Sequence, residues 1–161
     1  HENILILRTL SKAYSLAGLR FGYGIGASSL IAPMMYKTRD SYNTDHISQK
    51  LATAAIESFE YAQENCNRIR ESRNRLREDL NELGLSADDS QSNFILCQVP
   101  QAIGAQNLYR HLKQKHILVR YFDQDRLRDK LRISIGSDAE NAALVAAIKQ
   151  ALSNKEPLSG W

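Results

Sequence analysis

Residues 4–8 (ILILR) form a short, continuous apolar run. Such a run suits a parallel strand covered on both faces, although the pattern alone also fits a piece of buried helix. From Thr9 to Gly18 the chain turns irregular and rich in small and hydroxyl side chains. Residues 20–26 (RFGYGIG) alternate, with Phe21, Tyr23 and Ile25 on one side and Gly22, Gly24 and Gly26 on the other. Glycines along one face of a strand leave room for another backbone or a ligand. Residues 28–40 read as a helix with a break at Pro33, 41–44 as a loop, and 46–57 as an Ala-rich helix.

From Phe59 to Leu83 the helical period is clearer. Cys66, Ile69, Leu76, Leu80 and Leu83 fall on one stripe, and Gly84 is a natural stop. Glu64/Arg68, Glu71/Arg75 and Arg75/Asp79 are spaced as i,i+4 pairs on the outer face. The five arginines at 68, 70, 73, 75 and 77 are interleaved with acids, which reads as a solvated face and not as a nucleic-acid arm. A polar loop (SADDSQS) precedes a strand at 93–99, a helix at about 103–115, and strands at about 116–121 and 131–135. Ser137 and Glu140 have the capping-box spacing ahead of a last helix at 138–152, and 155–161 reads as a frayed tail. The second half is thus a β-α-β-β-α unit, the pattern of a small α+β domain.

Bulk properties change this picture little. The chain has 161 residues, 43% hydrophobic and 24% charged, with a net charge of +3. That is ordinary for a globular domain with a real core. Neither a nucleic-acid partner nor a membrane is expected: there is no basic block, and no apolar run approaches spanning length. Cys66 and Cys97 lie far apart and outside any CxxC pattern, so a reducing, cytoplasmic setting is the default. His1-Glu2-Asn3 runs directly into the first strand, so the chain is expected to be part of something longer.

The chemistry concentrates where the first strand meets its loop. Thr9 and Ser11 lie on one side of an extended backbone, Lys12 follows, and Arg20 comes after a Leu-Ala-Gly-Leu turn. A phosphate dianion needs several donors and a cation, and Arg meets it through two hydrogen bonds at once. An aldehyde needs an amine to condense with, which only Lys supplies. The group therefore suits a phosphorylated aldehyde, against the plainer alternative of surface cations flanking a loop. At the other end, Arg120 and Arg132 each sit on a strand, where surface ion pairing is the plain alternative to binding an anion; Arg126 and Arg128 lie in the connecting loop. Gly22-x-Gly24-x-x-Ala27 is a loose dinucleotide fingerprint with Asp45 near the required offset, but the residues around Asp45 are no strand. The four histidines show no metal-ligand spacing. Asn93 opens a core strand and is a weaker candidate for the border of a substrate site.

The segment LRTLSKAYSLAGLRFGYGIG resembles the lysine segment of class II, fold-type I aminotransferases, and is most similar to the histidinol-phosphate aminotransferases. The pattern S-K-x-x-x-x-x-G-x-R-x-G is met by Ser11, Lys12, Gly18, Arg20 and Gly22. Similarity continues through YN-TDHISQKLA, SQSNFILC, ILVR and LRISIG, over essentially the whole chain. The resemblance implies that Lys12 carries pyridoxal 5'-phosphate and later acts as general base, with Thr9, Ser11 and Arg20 on the cofactor phosphate. It assigns Arg132 to the anionic group of the substrate and Arg120 to a substrate phosphate. It also implies transfer of an amino group between L-histidinol phosphate and 2-oxoglutarate, giving glutamate, in a homodimeric parent.

Two departures stand out. Position 15 is Ser where many family members carry Gly. The Asp, Asn and Tyr that hold the cofactor ring in the family belong well before the lysine and have no counterpart here, so the chain alone is expected to be a poor catalyst. The fold expectation is α/β: residues 1–57 as the C-terminal remnant of the large cofactor domain, and 58–161 as the small C-terminal domain. A remnant strand cut from its neighbours is expected either to associate or to be held differently than in the parent. Another class II aminotransferase, a phosphothreonine decarboxylase and a non-catalytic fragment remain alternatives.

Overall fold

The glycine face of the second strand decides how the chain begins. In the computed structural model, which describes residues 1–153, β1 (Leu5–Thr9) pairs with β2 (Gly22–Gly26) in antiparallel register, with Leu5 opposite Gly26, Leu7 opposite Gly24 and Thr9 opposite Gly22. A Cβ at position 22 would stand 2.8 Å from the Arg8 carbonyl oxygen, and one at 26 would stand 3.2 Å from that of Ile4. The glycines thus admit the backbone of β1. This corrects the expectation of a parallel strand covered on both faces. Ile6 is 51% exposed, Leu7 73% and Ile25 56%. An unbroken apolar run states that both faces of a strand are apolar. It does not state which way the neighbour runs.

A single 3-10 turn (Ala17–Leu19) joins the two strands. α1 (Ser28–Lys37) runs through Pro33 without breaking there and stops at Thr38, short of the expected 40. α2 (His46–Glu57) starts at Asp45, whose carboxylate accepts the Ser48 backbone N–H at 2.8 Å and its hydroxyl at 2.6 Å. Those bonds hold the Asp45 carboxyl below its ordinary range. α3 (Phe59–Glu82) follows. Contacts divide the chain into two compact units, His1–Asn67 and Arg68–Trp161, so the division falls inside α3. The sequence set it just ahead of that helix.

In the second unit, β3 (Ser86–Ala87), β4 (Phe94–Gln98), β5 (Arg120–Tyr121) and β6 (Lys130–Ser134) form an antiparallel sheet in the order β3-β4-β6-β5. With α4 (Ala105–Gln114) and α5 (Asp138–Ser153) this is the expected small α+β unit. The core gathers Leu76 and Leu80 of α3, Ile95 and Cys97 of β4, Leu108 and Leu112 of α4, Leu131 and Ile133 of β6, and Leu144 and Ile148 of α5. Burial pushes the Cys97 thiol up to about 11. The capping box forms as read, Glu140 accepting the Ser137 backbone N–H and hydroxyl, both at 2.8 Å.

Several local expectations are corrected. Arg73 is not on the solvated face. It is 7% exposed, in step with Leu76 and Leu80, and donates through Nη1 to the Ser92 carbonyl at 2.9 Å. Cys66, placed on the buried stripe, is exposed. Arg75 reaches Asp138 at 2.8 Å, a partner far away in sequence. The strand expected at 116–121 shrinks to two residues, because His116 leaves α4 with φ +61 and only Arg120 and Tyr121 pair with β6. β3 sits in what read as a polar loop, pinned by the Ala87 N–H donating to Asn81 Oδ1 at 2.9 Å. The tail expected at 155–161 lies outside the described residues.

Two outcomes follow. His111 of α4 is buried, with Nε2 unpartnered. Burial, then the nearby Lys115 charge, lowers its pKa from 6.5, against a hydrogen bond to the Ala147 carbonyl. The unfolded chain therefore takes up the proton first as the pH falls, so stability drops progressively below pH 6.5. Urea midpoints measured from pH about 8 down to about 5 should fall more steeply for the wild type than for His111→Gln; parallel curves would acquit His111. Separately, the exposed apolar surface around β1 and β2 is of a kind monomers rarely leave bare. Light scattering should find concentration-dependent association, shifted toward monomer by Leu7→Lys.

Candidate active site

One buried side chain shapes the first cluster. Leu10, 1% exposed, leaves β1 pointing inward; its N–H donates to the Phe21 carbonyl at 3.2 Å and its own carbonyl accepts from the Leu16 N–H at 3.1 Å. Thr9 and Ser11, on either side of it, come together. The Thr9 hydroxyl donates to Ser11 Oγ at 2.8 Å and accepts the Ser11 backbone N–H at 3.1 Å. The Ser11 hydroxyl proton is left to point elsewhere. Lys12 follows, exposed, and its carbonyl accepts from the Ser15 N–H at 2.9 Å in a tight turn.

That turn is one a glycine would hold with less strain. Ser15 has φ +57, a left-handed conformation that costs an L-residue roughly 1–2 kcal/mol. Arg20 is left-handed as well, φ +55, at the end of the 3-10 turn, and its Nη1 donates to the Ala17 carbonyl at 2.9 Å. One of its five N–H groups is thereby used. Two hydroxyls, a guanidinium with donors to spare and an exposed amine occupy one strand-to-strand connection. This donor set fits a phosphate next to a carbonyl carbon that an amine attacks.

The second cluster lies in the other unit. Arg120 and Arg132 are directly opposite each other on β5 and β6, both exposed on the face away from the core. The Arg132 guanidinium lies 5.3 Å from the Phe94 ring and 5.8 Å from that of Phe122; the Arg120 guanidinium lies 5.3 Å from Phe122. Among the described residues neither has a carboxylate partner. The neighbouring cations do: Arg128 pairs with Asp123 at 2.9 Å and Lys130 with Asp129 at 2.7 Å. Like charges directly opposite on a strand pair repel. A dianion between them would reverse the sign of the interaction and take a bidentate bond from each.

The sequence missed Phe94 and Phe122 as partners of the arginines; alternation on β4 and past β5 held the signal, since both face away from the buried Ile95 and Tyr121 side. The Asn93 carbonyl accepts the Ile135 N–H at 3.0 Å and so extends the β4–β6 ladder. The dinucleotide reading fails, because Asp45 caps a helix and ends no strand. Among the described residues no three His, Cys, Asp or Glu side chains gather as a metal site.

Comparison with known proteins adds a family. The sequence matches the family described as aminotransferase class I and II over residues 1–148. It is 47% identical over 156 residues to histidinol-phosphate aminotransferase 1 of Nostoc sp., covering 97% of this chain and 44% of that protein. Identity to the histidinol-phosphate aminotransferase of Microcystis aeruginosa is 48% over 150 residues, covering 93% of this chain and 42% of that one. The solved histidinol-phosphate aminotransferase of Sinorhizobium meliloti, in complex with pyridoxal-5'-phosphate, is similar at a TM-score of 0.81 and 31% identity, over 94% of this chain and 41% of that chain. The chain spans less than half the length of the curated relatives it matches.

The arginine pair should behave as one anion site. On titration with inorganic phosphate, the side-chain N–H signals of Arg120 and Arg132 in NMR spectra should move along a single isotherm. Arg120→Gln should weaken the response of Arg132 roughly tenfold, the loss of one charge-assisted bidentate contact. Two independent isotherms would show separate surface cations.

Proposed function

The chain belongs to the class I and II aminotransferase family, and from that premise we propose that it is the C-terminal portion of a pyridoxal-phosphate-dependent aminotransferase acting on L-histidinol phosphate and 2-oxoglutarate. In this reading residues 1–57 are the end of the large cofactor domain and 58–161 the small domain. When bound, pyridoxal phosphate supplies the electron sink that makes exchange of an amino group feasible. Thr9, Ser11 and Arg20 hold its phosphate, and the Lys12 amine anchors its aldehyde. Lys12 Nζ would serve as the general base that takes the proton from the amine-bearing carbon of the substrate. Arg120 and Arg132 hold the far, anionic end of the substrate and fix that carbon relative to the amine.

The observation that carries the choice of substrate is the unpaired arginine pair, opposed across β5 and β6. One bidentate Arg satisfies a carboxylate, whereas a phosphate dianion is better met by two. Phosphothreonine decarboxylation would use the same feature and stands as the second reading. In the full-length parent, glutamate formed from 2-oxoglutarate supports the first, and carbon dioxide without glutamate supports the second. The reading also carries a homodimeric parent in the cytoplasm; the free thiols of Cys66 and Cys97 suit a reducing compartment. The apolar surface of β1 and β2 is then the ground on which the rest of the parent packs.

The cofactor assignment is open to a direct check on this chain. Added pyridoxal phosphate should give the absorbance band of a lysine-bound cofactor with the wild type, and a band at least several-fold weaker with Lys12→Ala. Equal bands from the two proteins would leave a fragment that reacts through surface lysines alone, the non-catalytic alternative.

A further inference from the structure

The arginine pair raises a physical question that charge alone does not answer. Arg120 and Arg132 face each other across two paired strands, they repel, and each carries a long exposed side chain with about 2 kcal/mol of rotamer entropy. Left to themselves the two guanidinium groups would swing apart into solvent. Both instead lie over the same ring, that of Phe122, at 5.3 and 5.8 Å from its centroid. The negative face of an aromatic ring attracts a cation within about 6 Å. One ring can therefore hold two cations that would otherwise separate.

Phe122 is placed for this by alternation. Tyr121, one residue earlier, turns to the other side, where its ring stacks on Tyr109 of α4 at 6.0 Å and packs against the core. Phe122 does not pack against that core and is only half-buried. Its contact with the arginines is thus not a by-product of core packing. Phe94 offers an internal comparison, because its ring touches Arg132 and not Arg120.

We propose that Phe122 is the positioning residue of the anion site: by holding both guanidinium groups over one point of the sheet, it selects a doubly charged, phosphate-type terminus over a single carboxylate. This rests on reading Arg120 and Arg132 as the substrate's anion site. A monocarboxylate needs one guanidinium, so its binding tolerates a partner that has swung away. A phosphate dianion bridging both needs the pair held together.

The test titrates the chain with inorganic phosphate, at mildly alkaline pH where it is a dianion, and separately with acetate, following the Arg120 and Arg132 side-chain N–H signals. Phe122→Leu should weaken phosphate about tenfold, the loss of two exposed ring–cation contacts, and leave acetate within about twofold. Phe122→Tyr should bind phosphate like the wild type, and Phe94→Leu should fall between. Wild-type phosphate affinity in Phe122→Leu, or an equal loss for both anions, overturns the role of Phe122. A wild type whose arginine signals do not respond to phosphate overturns the site itself, a distinguishable failure. If Phe122→Leu loses the amide spectrum of the folded unit, Phe122→Met against Phe122→Tyr makes the same comparison.

Discussion

Burying Leu131 and Ile133 dictates what the opposite face of the small sheet presents. Side chains alternate across a strand, so the residue between two core residues must point away from the core. That residue is Arg132. The same rule applied to β4 buries Ile95 and Cys97 and turns Phe94 outward. Applied to β5, it sends Tyr121 to the core and leaves Arg120 and Phe122 on the other side. Register then does the rest, by setting Arg120 directly opposite Arg132. The proposed anion site is thus the complement of the core, and any register slip that preserved the arginines would ruin the packing.

In the first unit the corresponding constraint is the missing side chains of Gly22 and Gly26. They let β1 approach closely, and past the end of that strand Leu10 turns inward. Thr9 and Ser11 can then share a hydrogen bond, with Lys12 next in line. The same pairing leaves Ile6, Leu7 and Ile25 exposed. The chain spans less than half of the curated relatives it matches, and a surface this apolar is consistent with an element made to be packed upon.

Several features of the chain do not serve stability. Ser15 and Arg20 hold left-handed backbone conformations in the loop that carries the lysine segment. Two arginines face each other without an acid between them. Arg73 is buried with its Nε unpartnered, although its Nη1 steadies the start of β4 at Ser92. The proposed cofactor and anion sites account for the first two, since a site fully satisfied by its own protein has little left to offer a ligand.

The order of β4, α4, β5, β6 and α5 in the second unit, the capping box at Ser137 and Glu140, and the lysine segment with its hydroxyls and arginine were legible in the chain, because each rests on local spacing, whereas β3 was not. The two arginines were visible as candidates too. Their opposition was not, since it depends on which strands pair and in what register, and β5 proved only two residues long. Nor did the pattern reveal that Arg73 turns inward, that Phe122 lies under both guanidinium groups, or that β1 runs antiparallel to β2. Sequence spacing determines which face of an element a residue occupies. Tertiary pairing decides what stands across from it, as it does in setting Arg120 against Arg132.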